Sequence, residues 1–348
     1  MSAVPTPEAH ELLIDLVSIP SPSGEERACA EHLASFFEEH GREVWLDDVG
    51  NVRAPVDDGV LLTSHIDTVP GNIPVRVDDG VLWGRGSVDA KGPLAALAVA
   101  AVTVDASFVG VVGEEADSAG AHHLVEDRPQ PGAVINGEPS GWTGITLGYR
   151  GMQSGVYVST SELGHTSRPD RNAIQDAIDW WTRVEAAFGT TEDDEWTPVF
   201  ERVTPKPVTI RGGTDEDGIA VEVTLEMQLR IPPSLTADGV REVADAELDA
   251  GTVHWREPIP PVMVSPRTPV ARAFRAAIRA EGGEPRLLRK TGTSDMNIYA
   301  GAWDCPMVTY GPGDSDLDHT PDERLPFDEF DQSIAVLTSV GKRLLEDK

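Results

Sequence analysis

GVLLTSHID, residues Gly59–Asp67, is an apolar run bounded by glycine at one end and by a histidine and an acid at the other. Such a run reads as a buried strand. The same design recurs downstream. Pro93–Val104 is Ala-rich and helical, SFVGVVGEE (Ser107–Glu115) is strand-like, Ala119–Glu126 is a short helix, and AVINGEP (Ala133–Pro139) is another strand. Strand, helix, strand at this spacing predicts a sheet with crossover helices, and so an α/β domain. Upstream, Glu8–His40 reads as helix, interrupted by Ser21-Pro22-Ser23-Gly24.

After Gly148 the pattern changes. MQSGVYVST alternates, Asn172–Phe188 is an amphipathic helix, and alternating strands follow at Val208–Ile210 and Ile219–Leu229. A helix over Ala237–Leu248 and a strand over Gly251–Arg256 complete a β-α-β-β-α-β order, which is that of a ferredoxin-like α+β sandwich. Proline-rich Glu257–Pro266 then reads as a hinge. A helix (Pro269–Gly282), a strand near Pro306–Tyr310 and a last helix (Glu329–Leu345) resume the α/β style. The expected organisation is one domain from 1–148 and 259–348, with a second domain, 149–258, inserted in it.

The 348 residues carry 28 Lys plus Arg against 59 Asp plus Glu, a formal charge of −31. Nucleic acid and anionic membranes would repel such a chain, which excludes both as main partners. The acids are spread along the whole sequence, as expected of a protein solvated for a high-salt cytoplasm, where self-repulsion is screened. Cys29 and Cys305 form neither a disulfide framework nor a CxxC metal site. No basic-then-apolar leader opens the sequence, and Pro93–Val104 is too short to span a bilayer, so the expected location is the cytoplasm.

Candidate ligands gather where the predicted strands end. His65 and Asp67 close the first strand, Glu114 and Glu115 the next, and Glu138 the one after; Asp89 lies in the turn GRGSVDAKG (Gly84–Gly92). In an open α/β sheet, the loops at the carboxyl ends of strands converge on one crevice. Successive candidates are separated by about one strand-helix unit. His319, in GDSDLDHTPDE, offers a second imidazole. A His/Asp/Glu set without thiols suits a hydrolytic site for Zn, Co or Mn. Two imidazoles and three carboxylates exceed one tetrahedral ion and suit two ions sharing a carboxylate. In the Glu114–Glu115 pair, one acid could ligate while the other handles a proton. Taken singly, an HxD or a Glu-Glu pair means little in so acidic a chain. GRGSVDAKG lacks the GK[ST] ending of a phosphate loop, and neither GxSxG nor HExxH occurs.

HIDTVP, GRGSVDAKGPLAAL, GEEADSAGA, NGEPS and LDHTPDE together resemble the M20 metallopeptidase/deacylase family, in the family's order and over nearly the whole chain. The resemblance implies a di-metal aminopeptidase-like catalytic domain with an inserted lid and dimerisation domain, active as a homodimer with two Zn2+ or Co2+ per subunit. His65 and Glu138 would hold one ion, Glu115 and His319 the other, and Asp89 would bridge them. Asp67 would orient His65, and Glu114 would be the general base. GHTSRPDRNAI (Gly164–Ile174) matches the lid motif, in which His165 would stabilise the oxyanion in the neighbouring subunit. Arg230 in MQLRIPP would meet the substrate carboxylate, and Gly292 and Thr293 in KTGTSDMNIY would line the pocket. Within the family the chain is most similar to archaeal hydrolases that release lysine or ornithine from a γ-glutamyl link to an amino-group carrier protein. An acetylornithine or succinyl-diaminopimelate deacylase, or a dipeptidase, would use the same site. A silent scaffold would lack a base or a ligand, and every such position is filled.

Overall fold

The computed structural model describes residues 4–165, 167, 169–189 and 197–346. The chain forms two compact units. One takes the chain up to Gly148, then Val264–Leu288 and the described residues from Ser294 onward; the other takes Tyr149–Met263 and Arg289–Thr293.

The first unit begins with helices α1 (Thr6–Ser18) and α2 (Arg27–Glu39), separated at the Ser21–Gly24 break. Then come β1 (Trp45–Leu46), β2 (Val52–Ala54), β3 (Val60–His65), β4 (Arg76–Asp78) and β5 (Val81–Trp83). Helix α3 (Lys91–Val104), β6 (Ser107–Val111), α4 (Ala119–Asp127), β7 (Ala133–Gly137) and β8 (Gly144–Tyr149) follow. The sequence KGPLAALAVAAVTV is apolar all round, so α3 cannot be a surface helix. It is indeed buried from Lys91 through Val102 and packs against α1.

The second unit runs β9 (Gly151–Glu162), α5 (Ala173–Ala187), β10 (Thr204–Thr214), β11 (Ala220–Ile231), α6 (Ala237–Ala246), β12 (Thr252–Trp255) and β13 (Val262–Met263). Four of its strands form an antiparallel sheet in the order β10-β11-β9-β12, the ferredoxin-like order. Alternate residues of β9 and β11 are buried under α5 and α6, with Trp180 stacked on Tyr157 at 4.7 Å. Asn172 and Gln175 close a capping box at the start of α5. The expected hand-over at Pro258 moves to Met263, because Met152 and Ile259 exchange backbone hydrogen bonds at 2.8 and 2.9 Å. Arg289–Thr293 joins this unit as well. Arg150 explains it: its amide donates to the Lys290 carbonyl at 3.3 Å and its Nε to the Thr291 carbonyl at 2.9 Å.

The chain closes with α7 (Pro269–Ala280), β14 (Arg286–Lys290), α8 (Asp295–Ala302), β15 (Met307–Thr309), β16 (Arg324–Pro326) and α9 (Phe327–Glu346). The main sheet runs β1-β2-β6-β3-β7-β15-β8, with β14 beside β8, and β16-β5-β4 form a small second sheet. α9 lies against α3 so closely that a Cβ on Gly341 would stand 2.7 Å from Val104. Strands β3, β6, β7 and β15 are parallel, giving the α/β architecture expected from the alternation. β6 and β7 end earlier than the sequence predicts, at Val111 and Gly137, so Glu114, Glu115 and Glu138 lie beyond the sheet. Gly113, at φ +79°, makes the turn out of β6.

Candidate metal centre

Register decides which residues meet. His65 pairs with Val111 across β3 and β6, and Ser64 with Gly137 across β3 and β7. All three strands therefore deliver the chain to the same edge, and Asp67, Glu114, Glu115 and Glu138 follow within four residues of the strand ends. Asp89 enters from the turn ahead of α3 and His319 from the loop before β16. His319 adopts φ +61°, an unfavourable region for a residue with a Cβ and one in which strain often accompanies function.

Two groups of ligand atoms result, His65–Asp89–Glu138 and Asp89–Glu115–His319, each with its atoms within 4.8 Å of one another. Asp89 belongs to both. Its Oδ1 lies 3.2 Å from His65 Nε2 and its Oδ2 3.1 Å from His319 Nε2. Glu138 Oε2 is 4.0 Å from His65 Nε2, and Glu115 Oε1 is 2.9 Å from His319 Nε2. The first group is enclosed, with His65 1% exposed, whereas the His319 side chain is 51% exposed. One half of the site is thus sealed and the other open to solvent.

The donor set fits divalent metal ions. His65 Nδ1 is 2.9 Å from the Asp67 carbonyl oxygen, an acceptor only, so Nδ1 carries the proton of the neutral ring. Nε2 then turns a lone pair toward Asp89 and Glu138. Carboxylates converging on imidazoles need positive charge among them, a proton or a metal ion, and N/O donors without sulfur suit Zn, Co or Mn. The electrostatics agree. Burial opposes charge on His65, yet Asp67 and Asp89 beside it lift its pKa well above the ordinary imidazole value. Hydrogen bonds with Asp89 and Glu115 push His319 up to about 10. Burial would raise Asp89, but His319 and His65 hold it well below the usual carboxylate range.

Asp67 reaches His65 through its carbonyl, its carboxylate standing 3.6 Å from the same nitrogen. The carboxylate is committed elsewhere. It accepts the Glu114 amide at 3.1 Å, the Glu115 amide at 3.0 Å and the Ser23 hydroxyl at 2.7 Å. These contacts fix the pair of acids that the sequence marks as ligand and base. Glu114 is itself pushed well above the usual carboxylate range by burial and by the charge of Glu138. A carboxyl group so raised takes up a proton more readily than an exposed one, as a general base must.

The remaining expected site residues lie in the second unit. Arg230 on β11 donates from Nη1 to Thr293 Oγ1 at 3.4 Å and meets no carboxylate among the described residues. Burial lowers its pKa. Gly292 has open space where a side chain would be. His165 is exposed on the loop between β9 and α5, its Nδ1 2.8 Å from Ser167 Oγ; Thr166 and Arg168 of that motif lie outside the described residues. Two contributors escape the sequence pattern. Ser23 belongs to the helix break, where only a turn is legible. Asp295 belongs to KTGTSDMNIY but starts α8, and it is buried deeply enough to be pushed up to about 7.

The model of peptidase family M20/M25/M40 matches residues 61–343. The chain belongs to this family. Membership in M20 makes it a hydrolase of amide or peptide bonds. It is 41% identical to the LysW-lysine hydrolase of Deinococcus radiodurans over 98% of this chain and 99% of that one. It is 32% identical to the LysW-lysine/LysW-ornithine hydrolase of Saccharolobus islandicus, covering 93% and 92% of the two chains. Its fold is similar to that of the Bacillus subtilis YXEP protein, described as a dinuclear metal binding peptidase of the M20 family. The TM-score is 0.71 at 15% identity over 98% of each chain. Among the described residues, no helix is long and apolar enough to cross a membrane.

Proposed function

We propose that the protein hydrolyses the amide linking lysine or ornithine to an amino-group carrier protein, the substrate that its relatives' names call LysW, in lysine or arginine biosynthesis. The observation that carries this reading is the pair of ligand groups sharing Asp89 beside Glu114, in a chain 41% identical to a LysW-lysine hydrolase over nearly its full length. His65, Asp89 and Glu138 would hold one divalent ion and Asp89, Glu115 and His319 a second, with Zn2+ or Co2+ the ions of choice. Bound there, such ions supply Lewis-acid polarisation of the scissile carbonyl and acidify the attacking water. Glu114 takes a proton from that water and returns it to the departing amine. Asp67 keeps Glu114 and Glu115 in place through their amides. Arg230 receives a substrate carboxylate, for which a fork-shaped guanidinium without a competing acid is suited, and Gly292 and Thr293 border it. In a cytoplasmic homodimer the exposed His165 serves the neighbour's site by stabilising the oxyanion.

The test is a parallel assay of protein purified in high salt and loaded with Zn2+ or Co2+. Carrier-bound lysine, carrier-bound ornithine, acetylornithine, succinyl-diaminopimelate and a dipeptide are supplied side by side. Preference for a carrier conjugate is expected. Faster turnover of acetylornithine, succinyl-diaminopimelate or the dipeptide would replace the carrier reading with that of an ordinary deacylase or dipeptidase. A monomer by light scattering would remove His165 from catalysis.

A further inference from the structure

We propose that Glu323 is the positioning residue for Asp89, and that it governs the Asp89–Glu115–His319 group more than its partner group. Glu323 has no solvent exposure. A buried carboxylate is costly unless it is fully engaged. Here Oε1 accepts the amides of Val88 at 2.9 Å and Asp89 at 3.1 Å, while Oε2 accepts Arg85 Nη1 at 2.8 Å. Consecutive amides bound to one oxygen fix the peptide plane leading into Asp89, and with it the direction in which the Asp89 side chain departs. That direction matters because Asp89 presents one oxygen to each imidazole.

The two groups depend on Glu323 unequally. Glu323 ends the same short loop that carries His319, so its bonds tie the His319 loop to the Asp89 turn. Both belong to the second group. In the first, His65 and Glu138 leave β3 and β7, whose register is held by the main sheet. The far end of the turn is anchored separately, because Lys91, 1% exposed, donates from Nζ to the Leu16 and Ile19 carbonyls at 2.9 and 2.6 Å. Loss of Glu323 therefore loosens one end of the turn without releasing the other.

This inference rests on the two-ion reading above. The experiment compares wild type with full-length Glu323→Gln, both stripped of metal and titrated with Co2+ by calorimetry and visible absorption, alongside thermal unfolding. Wild type should take two ions per chain. The variant should bind one ion about 10–100-fold more weakly, as loss of outer contacts to ligands does elsewhere, and the other with a markedly smaller loss. Unchanged affinity at both sites would overturn the assignment. So would an equal loss at both sites that tracks a lowered melting temperature, the pattern of a general structural role. A wild type that takes fewer than two ions sinks the two-ion reading itself and the assignment with it. If Glu323→Gln does not fold, Arg85→Gln removes one of the three contacts and should weaken the same site by a smaller factor. Wild-type affinities in that variant would equally overturn the proposal.

Discussion

The Asp67 carboxylate accepts the backbone amide of Glu115 at 3.0 Å, so the residue that orients His65 also holds the acid of the opposite ligand group. Replacing it tests this double duty. Asp67→Asn keeps the shape but puts an NH2 group against one of the donors from Ser23, Glu114 and Glu115. Turnover or metal affinity should fall about 10–100-fold, with far-UV circular dichroism unchanged. Ser23→Ala, which removes a single donor, should have the smaller effect. Equal rates for wild type and Asp67→Asn would show the amide contacts to be dispensable.

Glu114→Gln removes the proposed proton-transfer group and leaves the five proposed ligands. Its turnover should drop about 10²–10⁴-fold while metal content by elemental analysis is preserved. A variant with near wild-type rate would require another base, and Asp295 would be the next residue to mutate.

Proton and metal compete at His319. Hydrogen bonds with Asp89 and Glu115 raise its pKa to about 10, so the ring carries a proton at neutral pH, whereas ligation requires the neutral ring. Metal uptake should therefore release protons. Apparent affinity should rise as pH climbs toward that value and fall as pH drops. Calorimetry at pH ~7.5 in two buffers of different ionisation heat reads the release directly. Identical heats in both buffers would contradict it.

With a net charge of −31, self-repulsion should make stability salt-dependent. Screening shortens from about 10 Å at 0.1 M to about 3 Å at 1 M salt. The melting temperature in molar KCl should therefore exceed that in dilute buffer. A salt-independent melting temperature would leave the acidic surface without this role.

In the second unit, Trp180 is 1% exposed, stacks on Tyr157 and donates from Nε1 to the Ala244 carbonyl at 3.1 Å. Trp180→Ala should cost about 3–5 kcal/mol in urea unfolding. Trp180→Phe keeps an aromatic ring against Tyr157 but loses the hydrogen bond and part of the ring volume, so it should cost less than alanine, about 1–3 kcal/mol. Equal losses in the two variants would mean that ring packing contributes little.

The convergence of the candidate site residues was legible because a strand end is a sequence signal. His65 closes an apolar run, and Glu114, Glu115 and Glu138 follow glycines at the ends of two more. The limits of β10 were not. The sequence reading takes only Val208–Ile210 as strand, yet β10 runs from Thr204 to Thr214 and includes Pro205 and Pro207. Among the described residues it pairs with β11 alone, at the sheet's edge, where proline is tolerated. Two- and three-residue strands such as β1, β4 and β5 carry too few side chains to show a period. Asp67's role was legible in part. HxD marks the aspartate, but sequence cannot say that its carbonyl faces the imidazole while its carboxylate gathers the amides of Glu114 and Glu115.

Thr309 of β15 is the register partner of Asn136 in β7, although 173 positions separate them along the chain. The whole second unit is synthesised between the two. During translation, β3, β6 and β7 can pair while β7 waits with its other edge bare, and His319 emerges later still. Such distant pairing is slow because a long loop must close before any contact rewards it. Order of synthesis thereby separates the two halves: every residue of the enclosed group is made before the second unit, whereas the open group lacks His319, and Asp89 lacks its Glu323 contacts, until the end of the chain arrives.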